Sequence, residues 1–276
     1  MSTPNELTAD LLLELEDAAC TLASRAGAMA LERWSATRRG HWSKSNTIDL
    51  VTQTDIDVQH LIATGLAERF PKHRIVAEEG DLARMPSEAD QAGIIWIIDP
   101  IDGTMNFVHG HEQYGISIGC CHNGRPVAGA VLRPATGDLF SARLGGGARC
   151  NGRRIAVSET PDLGSSLAVT GFGYDHRENP GRYLPIVEAF LRHCQDLRRF
   201  GSAALDLCEI ARGTLDVYGE LDLKPWDVAA GRIIVEEAGG RVTTLTGEAI
   251  PLAISSILAT NGRIHEAARA ILHGCR

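Results

Sequence analysis

One stretch in the middle of the chain holds the residues best suited to do chemistry: Trp96-Ile97-Ile98-Asp99-Pro100-Ile101-Asp102-Gly103-Thr104. A short apolar, β-branched run ends in two aspartates three positions apart, with a proline between them and Gly-Thr after them. Proline lacks an N–H and fixes φ, so the turn is rigid and aims both carboxylates and the Ile101 carbonyl into one pocket. An all-oxygen shell of that kind suits a hard divalent cation such as Mg2+. The Gly103 and Thr104 N–H groups, at a predicted helix start, would meet a phosphate, and the Thr104 hydroxyl would orient a water. The same letters also read as a plain turn with Asp99 as a helix cap. Two further acidic elements bear on the choice. Glu78-Glu79-Gly80 follows the apolar run Ile75-Val76-Ala77, and Trp226-Asp227 opens Val228-Ala229-Ala230-Gly231. Taken singly, the glutamates read as solvated loop charges and Asp227 as a cap. Jointly with Asp99 and Asp102 they compose one acidic site.

The elements that must position these groups follow from hydrophobic periodicity. Helical spacing over residues 11–34 predicts a long amphipathic helix ended by Arg38-Arg39-Gly40. A second helix is predicted to start at Thr54 or Asp55, both good N-caps, and to stop at Phe70-Pro71. The runs 75–77 and 94–98 read as buried strands that deliver Glu78, Glu79 and Asp99 at their ends. Strands at 114–121, 126–133 and 138–142, joined by Asn123-Gly124 and Ala135-Thr136-Gly137, read as an antiparallel meander. Past Gly145-Gly146-Gly147 the pattern alternates: a strand near Ala168, a helix over 182–194, a strand at 197–200 and a helix over 202–212. A strand at 215–218, a helix over 227–238, strands at 242–245 and 257–259, and a last helix capped by Asn261 complete it. The expected class is α/β with an α+β N-terminal lobe: one domain over 1–276, with lobes over about 1–145 and 146–276.

Composition bounds the function. Apolar residues are 44% and charged residues 22% of 276, ordinary globular values that exclude disorder as the main state. A formal net charge of −8 argues against a nucleic-acid-coating surface and sets a puzzle, because an anionic substrate then needs positive charge from elsewhere. Seven scattered cysteines without a C-x-x-C pair predict reduced thiols rather than a disulfide frame or zinc ribbon. No basic leader precedes the first leucines and no apolar run reaches the roughly 18 residues of a membrane span. The expected location is the cytoplasm, without membrane contact.

Five ordered segments resemble the inositol monophosphatase family of Mg2+-dependent phosphomonoesterases, within the lithium-sensitive superfamily that includes fructose-1,6-bisphosphatase. They are Asp49-Leu50-Val51-Thr52-Gln53-Thr54-Asp55, Ala77-Glu78-Glu79-Gly80, the stretch from Trp96 through Thr104 and on to His109, Gly201-Ser202-Ala203-Ala204, and Pro225-Trp226-Asp227-Val228-Ala229-Ala230-Gly231. The resemblance implies a layered α-β-α-β-α sandwich, a homodimer, and hydrolysis of a small phosphate monoester by metal-activated water, inositol 1-phosphate first. It implies metal and phosphate binding in the first lobe and substrate recognition in the second. Two or three Mg2+ ions are implied: Glu78, Asp99 and the Ile101 carbonyl hold one, and Asp99, Asp102 and Asp227 another. Glu78 with Thr104 positions the attacking water, with Asp99 as the bridging ligand. Asp55 and Glu79 support them, and Lys44 matches a lysine near the site. Substrate contacts fall to Asp102, Gly103, Thr104, Gly201, Ala203, Glu220 and Asp227. Divalent cations reverse the local sign, which resolves the charge puzzle.

Met105 stands where many members have threonine, and Gly110-His111 where an arginine is common; both bear on substrate preference. Histidinol phosphate and a 3′,5′-bisphosphate nucleotide are the alternative substrates. A regulatory binding protein that keeps the fold is the alternative of a different class. His109, His111, His122 and Cys120-Cys121 do not have the spacing of a zinc site. The glycine-rich stretches complete no nucleotide motif, no G-x-S-x-G elbow occurs, and Arg198-Arg199 reads as a solvated strand edge, with contact to a phosphate or a partner subunit as the alternative.

Overall fold

A computed structural model describes residues 7–39, 44–87 and 92–275, with the side chains of 36–52 outside that description. Two long helices, α1 (Ala9–Arg39) and α2 (Lys44–Arg69), precede strand β1 (Arg74–Ala77). Strand β2 (Ile94–Asp102) pairs in parallel with β1 and antiparallel with β3 (Gly115–His122). The helix α3 (Thr104–Val108) lies between β2 and β3. The predicted meander is present: β3, β4 (Arg125–Arg133), β5 (Asp138–Arg143), β6 (Arg149–Cys150) and β7 (Arg153–Arg154) follow one another in a seven-stranded sheet.

The alternating second half forms a five-stranded sheet in the order β11-β12-β10-β8-β9. Its strands are β8 (Leu167–Val169), β9 (Asp196–Arg198), β10 (Val217–Leu223), β11 (Arg241–Thr243) and β12 (Ser255–Thr260). The connecting helices are α4 (Pro180–His193), α5 (Ala203–Ala211), α6 (Pro225–Glu237) and α7 (His265–Leu272). Strands β8, β9 and β10 are mutually parallel, whereas β12 runs antiparallel to β10 and β11.

Side-chain alternation assigns the layers. Trp96 and Ile98 face α1 and α2, while Ile95 and Ile97 on the same strand pack with Trp226 and Ala229 of α6. Tyr218, Ile257 and Ala259 join α5 and α6 in a second core, and Val217 and Leu258, one residue over, face α4 and α7. The order is therefore α1/α2, first sheet, α5/α6, second sheet, α4/α7: the expected α-β-α-β-α sandwich. β2 is covered on both faces, which is why it reads as a continuous apolar run. Close approach of α6 to the first sheet depends on Gly119 and Gly129, where a Cβ would come within 2.7 Å and 2.9 Å of Ala229 and Ala230 atoms.

Three boundaries differ most from expectation. The strand expected at 215–218 lies at Val217–Leu223, which puts Glu220 within it. The second helix begins at Lys44, so Thr54 and Asp55 are mid-helix rather than N-caps, and both are buried. They look like capping residues because buried polar groups serving a site use the same side chains. Asn261 does not cap α7, which starts at His265. Its Oδ1 accepts from the Arg263 and Ile264 amides at 3.0 Å and 3.3 Å, making the turn before the helix.

His265 is fully buried, with ring nitrogens 3.0 Å from the hydroxyls of both Thr243 and Thr260. Burial lowers its pKa from 6.5 to about 4. The native state thus binds fewer protons at this site than the unfolded chain does between about pH 4 and 6.5, and the contribution of His265 to stability falls as pH is lowered through that window. On going from pH 7 to pH 5, the urea midpoint of the wild type should fall relative to that of His265→Asn; an unchanged difference between the two would contradict this.

Candidate active site

Strand register brings the acidic residues together. Ala77 pairs with Ile98, so Glu78 leaves β1 level with Asp99 on β2. Gln59 of α2 fixes that exit: its Nε2 donates to the Glu79 carbonyl at 2.6 Å and its Oε1 accepts from the Glu79 amide at 2.9 Å. Beyond Asp99 the β2–β3 register shifts, marking the proline turn. Gly103 then adopts φ +87°, the left-handed region, and a side chain there would meet the Gln113 and Gly201 carbonyls. Asn106 ties this corner to the second half of the chain, donating to the Gln113 and Phe200 carbonyls at 2.6 Å and 2.8 Å.

That latch sets Asp102 at the N-terminus of α5, where its Oδ2 accepts from the Ser202 hydroxyl and, at 2.8 Å, from the Ala204 amide. Asp227, in the first turn of α6, accepts from the Lys224 amide at 2.7 Å through Oδ2. The Thr104 hydroxyl donates to the Ile101 carbonyl at 3.0 Å. With its proton so engaged, Thr104 presents only lone pairs to a water, which it orients as an acceptor.

A cavity of about 420 Å³ opens above these groups. Glu78, Asp102, Thr104, Ala203, Glu220 and Asp227 line it, as do Gly103 and Gly201. Asp99 and Ile101 lie beneath its floor, both buried. The structure therefore gathers the residues singled out from the sequence around one space. Lys44 has its side chain outside the described residues.

Electrostatics mark the floor as anionic and poorly solvated. Burial raises Asp99 well above the usual carboxylate range, and Glu78, Asp102, Asp227 and Asp55 raise it further. Asp227 is raised well above that range by burial and then by Asp102. Asp55 is pushed up to about 8 by burial and the two neighbouring glutamates. Asp102 reaches only about 6, because the Ser202 hydroxyl and the α5 amides oppose its burial. Glu78 is raised by burial and partly relieved by Lys224. On the far wall Glu220 takes a 2.6 Å hydrogen bond from the Tyr218 hydroxyl, and burial pushes it up to about 7.

The donor set fits Mg2+. It consists of oxygens, and Asp99 Oδ1 is buried without a hydrogen-bond partner, the mark of a ligand awaiting a cation. Among the described residues no three His, Cys, Asp or Glu side chains stand close enough together to hold a metal ion without moving. Glu78, Asp99, Asp102, Asp227 and the Ile101 carbonyl are the groups that could hold it.

Sequence reasoning missed other groups at the cavity. Arg199 is not on a solvated strand edge: β9 ends at Arg198, and the Arg199 guanidinium lies 5.4 Å from the Phe172 ring centroid on the cavity wall. Arg198 does pair in the open, with Asp196 at 2.6 Å. Lys224 Nζ sits between the rings of Tyr174 and Trp226, 5.4 Å and 5.3 Å from their centroids. Away from the cavity, Gln59 on the Glu79 backbone was also missed, though a polar residue in an apolar helical stripe is a detectable signal.

The family model described as "Inositol monophosphatase family" matches residues 11–275. The chain belongs to the inositol monophosphatase family. It is 40% identical over 223 residues to "Phosphatase IMPL1, chloroplastic" of Arabidopsis thaliana, covering 79% of this chain but only 59% of that relative. It is 39% identical over 215 residues to "Nus factor SuhB" of Vibrio cholerae, covering 78% and 79%. Its structure superposes on inositol monophosphatase from Anabaena (Nostoc) sp. PCC 7120 with a TM-score of 0.83 at 38% identity, covering 95% and 96%. As a member of this family the chain is a phosphoric monoester hydrolase. Among the described residues no helix is long and apolar enough to cross a membrane.

The raised carboxylates make a pH prediction for this inositol monophosphatase family member. Between about pH 4 and 8 the native state holds protons on Asp55 and Asp102 that the unfolded chain releases, so metal-free stability falls as pH rises. In EDTA, Tm should be lower at pH 8 than at pH 5.5, and adding Mg2+ should raise it more at pH 8. Equal gains at both pH values would contradict the reading.

Proposed function

We propose that the protein hydrolyses a small polyol phosphate monoester, inositol 1-phosphate first, with Mg2+ as cofactor. The observation that supports this most is the meeting of Glu78, Asp102, Thr104 and Asp227 with Glu220 on one cavity above buried Asp99. Glu78, Asp99 and the Ile101 carbonyl would hold one ion, and Asp99, Asp102 and Asp227 a second. When bound, Mg2+ supplies the positive charge that a phosphate dianion needs and lowers the pKa of a coordinated water. Thr104 accepts a hydrogen bond from the attacking water and Glu78 takes its proton. Gly103 and Thr104 offer backbone N–H groups to the phosphate; α3, at five residues, adds little dipole of its own. Glu220, fixed by Tyr218, accepts a hydrogen bond from a hydroxyl of the departing alcohol, with Gly201 and Ala203 shaping that wall.

A cytoplasmic location accords with seven free cysteines, and a homodimer with family membership. A second reading, a regulatory role through a protein partner, is favoured by the relative named as a Nus factor. A defined partner would be shown by an interaction that survives Asp99→Asn, which removes a ligand and not the surface.

Phosphate release from inositol 1-phosphate should require Mg2+, and its kcat/KM should exceed those for histidinol phosphate and a 3′,5′-bisphosphate nucleotide. Asp99→Asn should lower kcat by more than about 100-fold, since even residues behind metal ligands cost roughly 10–100-fold. A folded Asp99→Asn protein at near-native rate would overturn the metal assignment. An inositol 1-phosphate rank far below the others would overturn the substrate.

A further inference from the structure

Strands β8 and β10 run parallel, with Val217 beside Ala168 and Tyr218 beside Val169. Two residues further on, beyond the end of β8, Gly171 stands next to Glu220. A Cβ built on Gly171 would lie 2.1 Å from Glu220 Oε2, and 2.4 Å from both Cδ and Oε1. The three heavy atoms nearest to that position all belong to the Glu220 carboxylate. The backbone of Gly171 is outside the left-handed region, so no torsional demand calls for glycine here. What excludes a side chain is the carboxylate itself.

We propose that Gly171 is the specificity-determining position of the cavity: its missing side chain is the space in which the Glu220 carboxylate lies, held ready for a hydroxyl of the leaving alcohol. This rests on the assignment of Glu220 to a substrate hydroxyl. The carboxylate is fixed from one side by the Tyr218 hydroxyl on Oε2 and rests on Gly171 from another, so its orientation is set before substrate arrives. Arg199, on the Phe172 ring one residue along, favours the charged form. A methyl group at 171 would swing the carboxylate off the wall. The discrimination lost is that of a hydrogen bond to a hydroxyl, which separates polyol phosphates from esters without one. Gly171 acts through the Glu220 carboxylate and is a positioning residue.

The test compares kcat/KM on inositol 1-phosphate, which carries hydroxyls beside the ester, with that on p-nitrophenyl phosphate, which has none. Gly171→Ala should lose about tenfold more on the first than on the second, and Glu220→Gln should do likewise. Gly171→Ala/Glu220→Asp should recover part of the ratio, because an acid shorter by one methylene clears the new methyl. An unchanged ratio in Gly171→Ala beside a lowered one in Glu220→Gln would overturn the proposal while leaving the role of Glu220 intact. An unchanged ratio in Glu220→Gln would remove that role and the proposal with it. If Gly171→Ala fails to fold, Gly171→Ala/Glu220→Gly should fold, since the three atoms nearest the new methyl group all belong to Glu220. A double variant that also stays unfolded would overturn the proposal.

Discussion

Like-charged carboxylates buried together govern this molecule. Asp55, Glu78, Asp99, Asp102 and Asp227 each push their neighbours toward the protonated form, and every one of them is raised by burial first. Two unit charges 4–6 Å apart interact by roughly 3–4 kcal/mol at an effective dielectric of 20, so several such pairs rival the whole margin of a typical fold. The cluster persists because its members are bolted to unrelated elements. Helix α2 brings Asp55, β1 and β2 bring Glu78 and Asp99, and the first turn of α6 brings Asp227. Relaxing the repulsion would mean unpacking a helix or a strand.

The packing that holds them there is mostly apolar and close. Helix α6 lies against the first sheet over glycines and alanines, and its other side joins the core of the second sheet. The α5 amides meet Asp102, and Asn106 crosses from α3 to the chain just before α5. The floor of the cavity therefore belongs to the first sheet and its far wall to the second. α5 and α6 are the common layer that sets their separation.

Much of this was legible in the residues because strong periodicity coincided with local chemistry. The apolar run of β2 ending at Asp99, the meander turns and the Trp226-Asp227 helix start all carry signals within a few positions. The start of α2 was not legible, since Thr54 and Asp55 have the side chains of caps and the burial of sites. Gln59, Arg199 and Gly171 take their meaning from contacts with Glu79, Phe172 and Glu220, which lie 20 to 49 positions away for Gln59 and Gly171. Distances of that kind are set by sheet order, and no local spacing encodes them. The mixed direction of β12 in an otherwise parallel neighbourhood has the same origin.

The split of the cavity between two sheets has an evolutionary corollary. On the proposed assignment the oxygen donors sit together on one corner, where replacing one would remove a metal ligand. Glu220, within β10, stands on the opposite bank with Gly171 and Arg199, which lie just beyond the ends of β8 and β9. On that assignment, a lineage built on this architecture would exchange one alcohol for another by editing the second sheet, and keep the same hydrolytic engine.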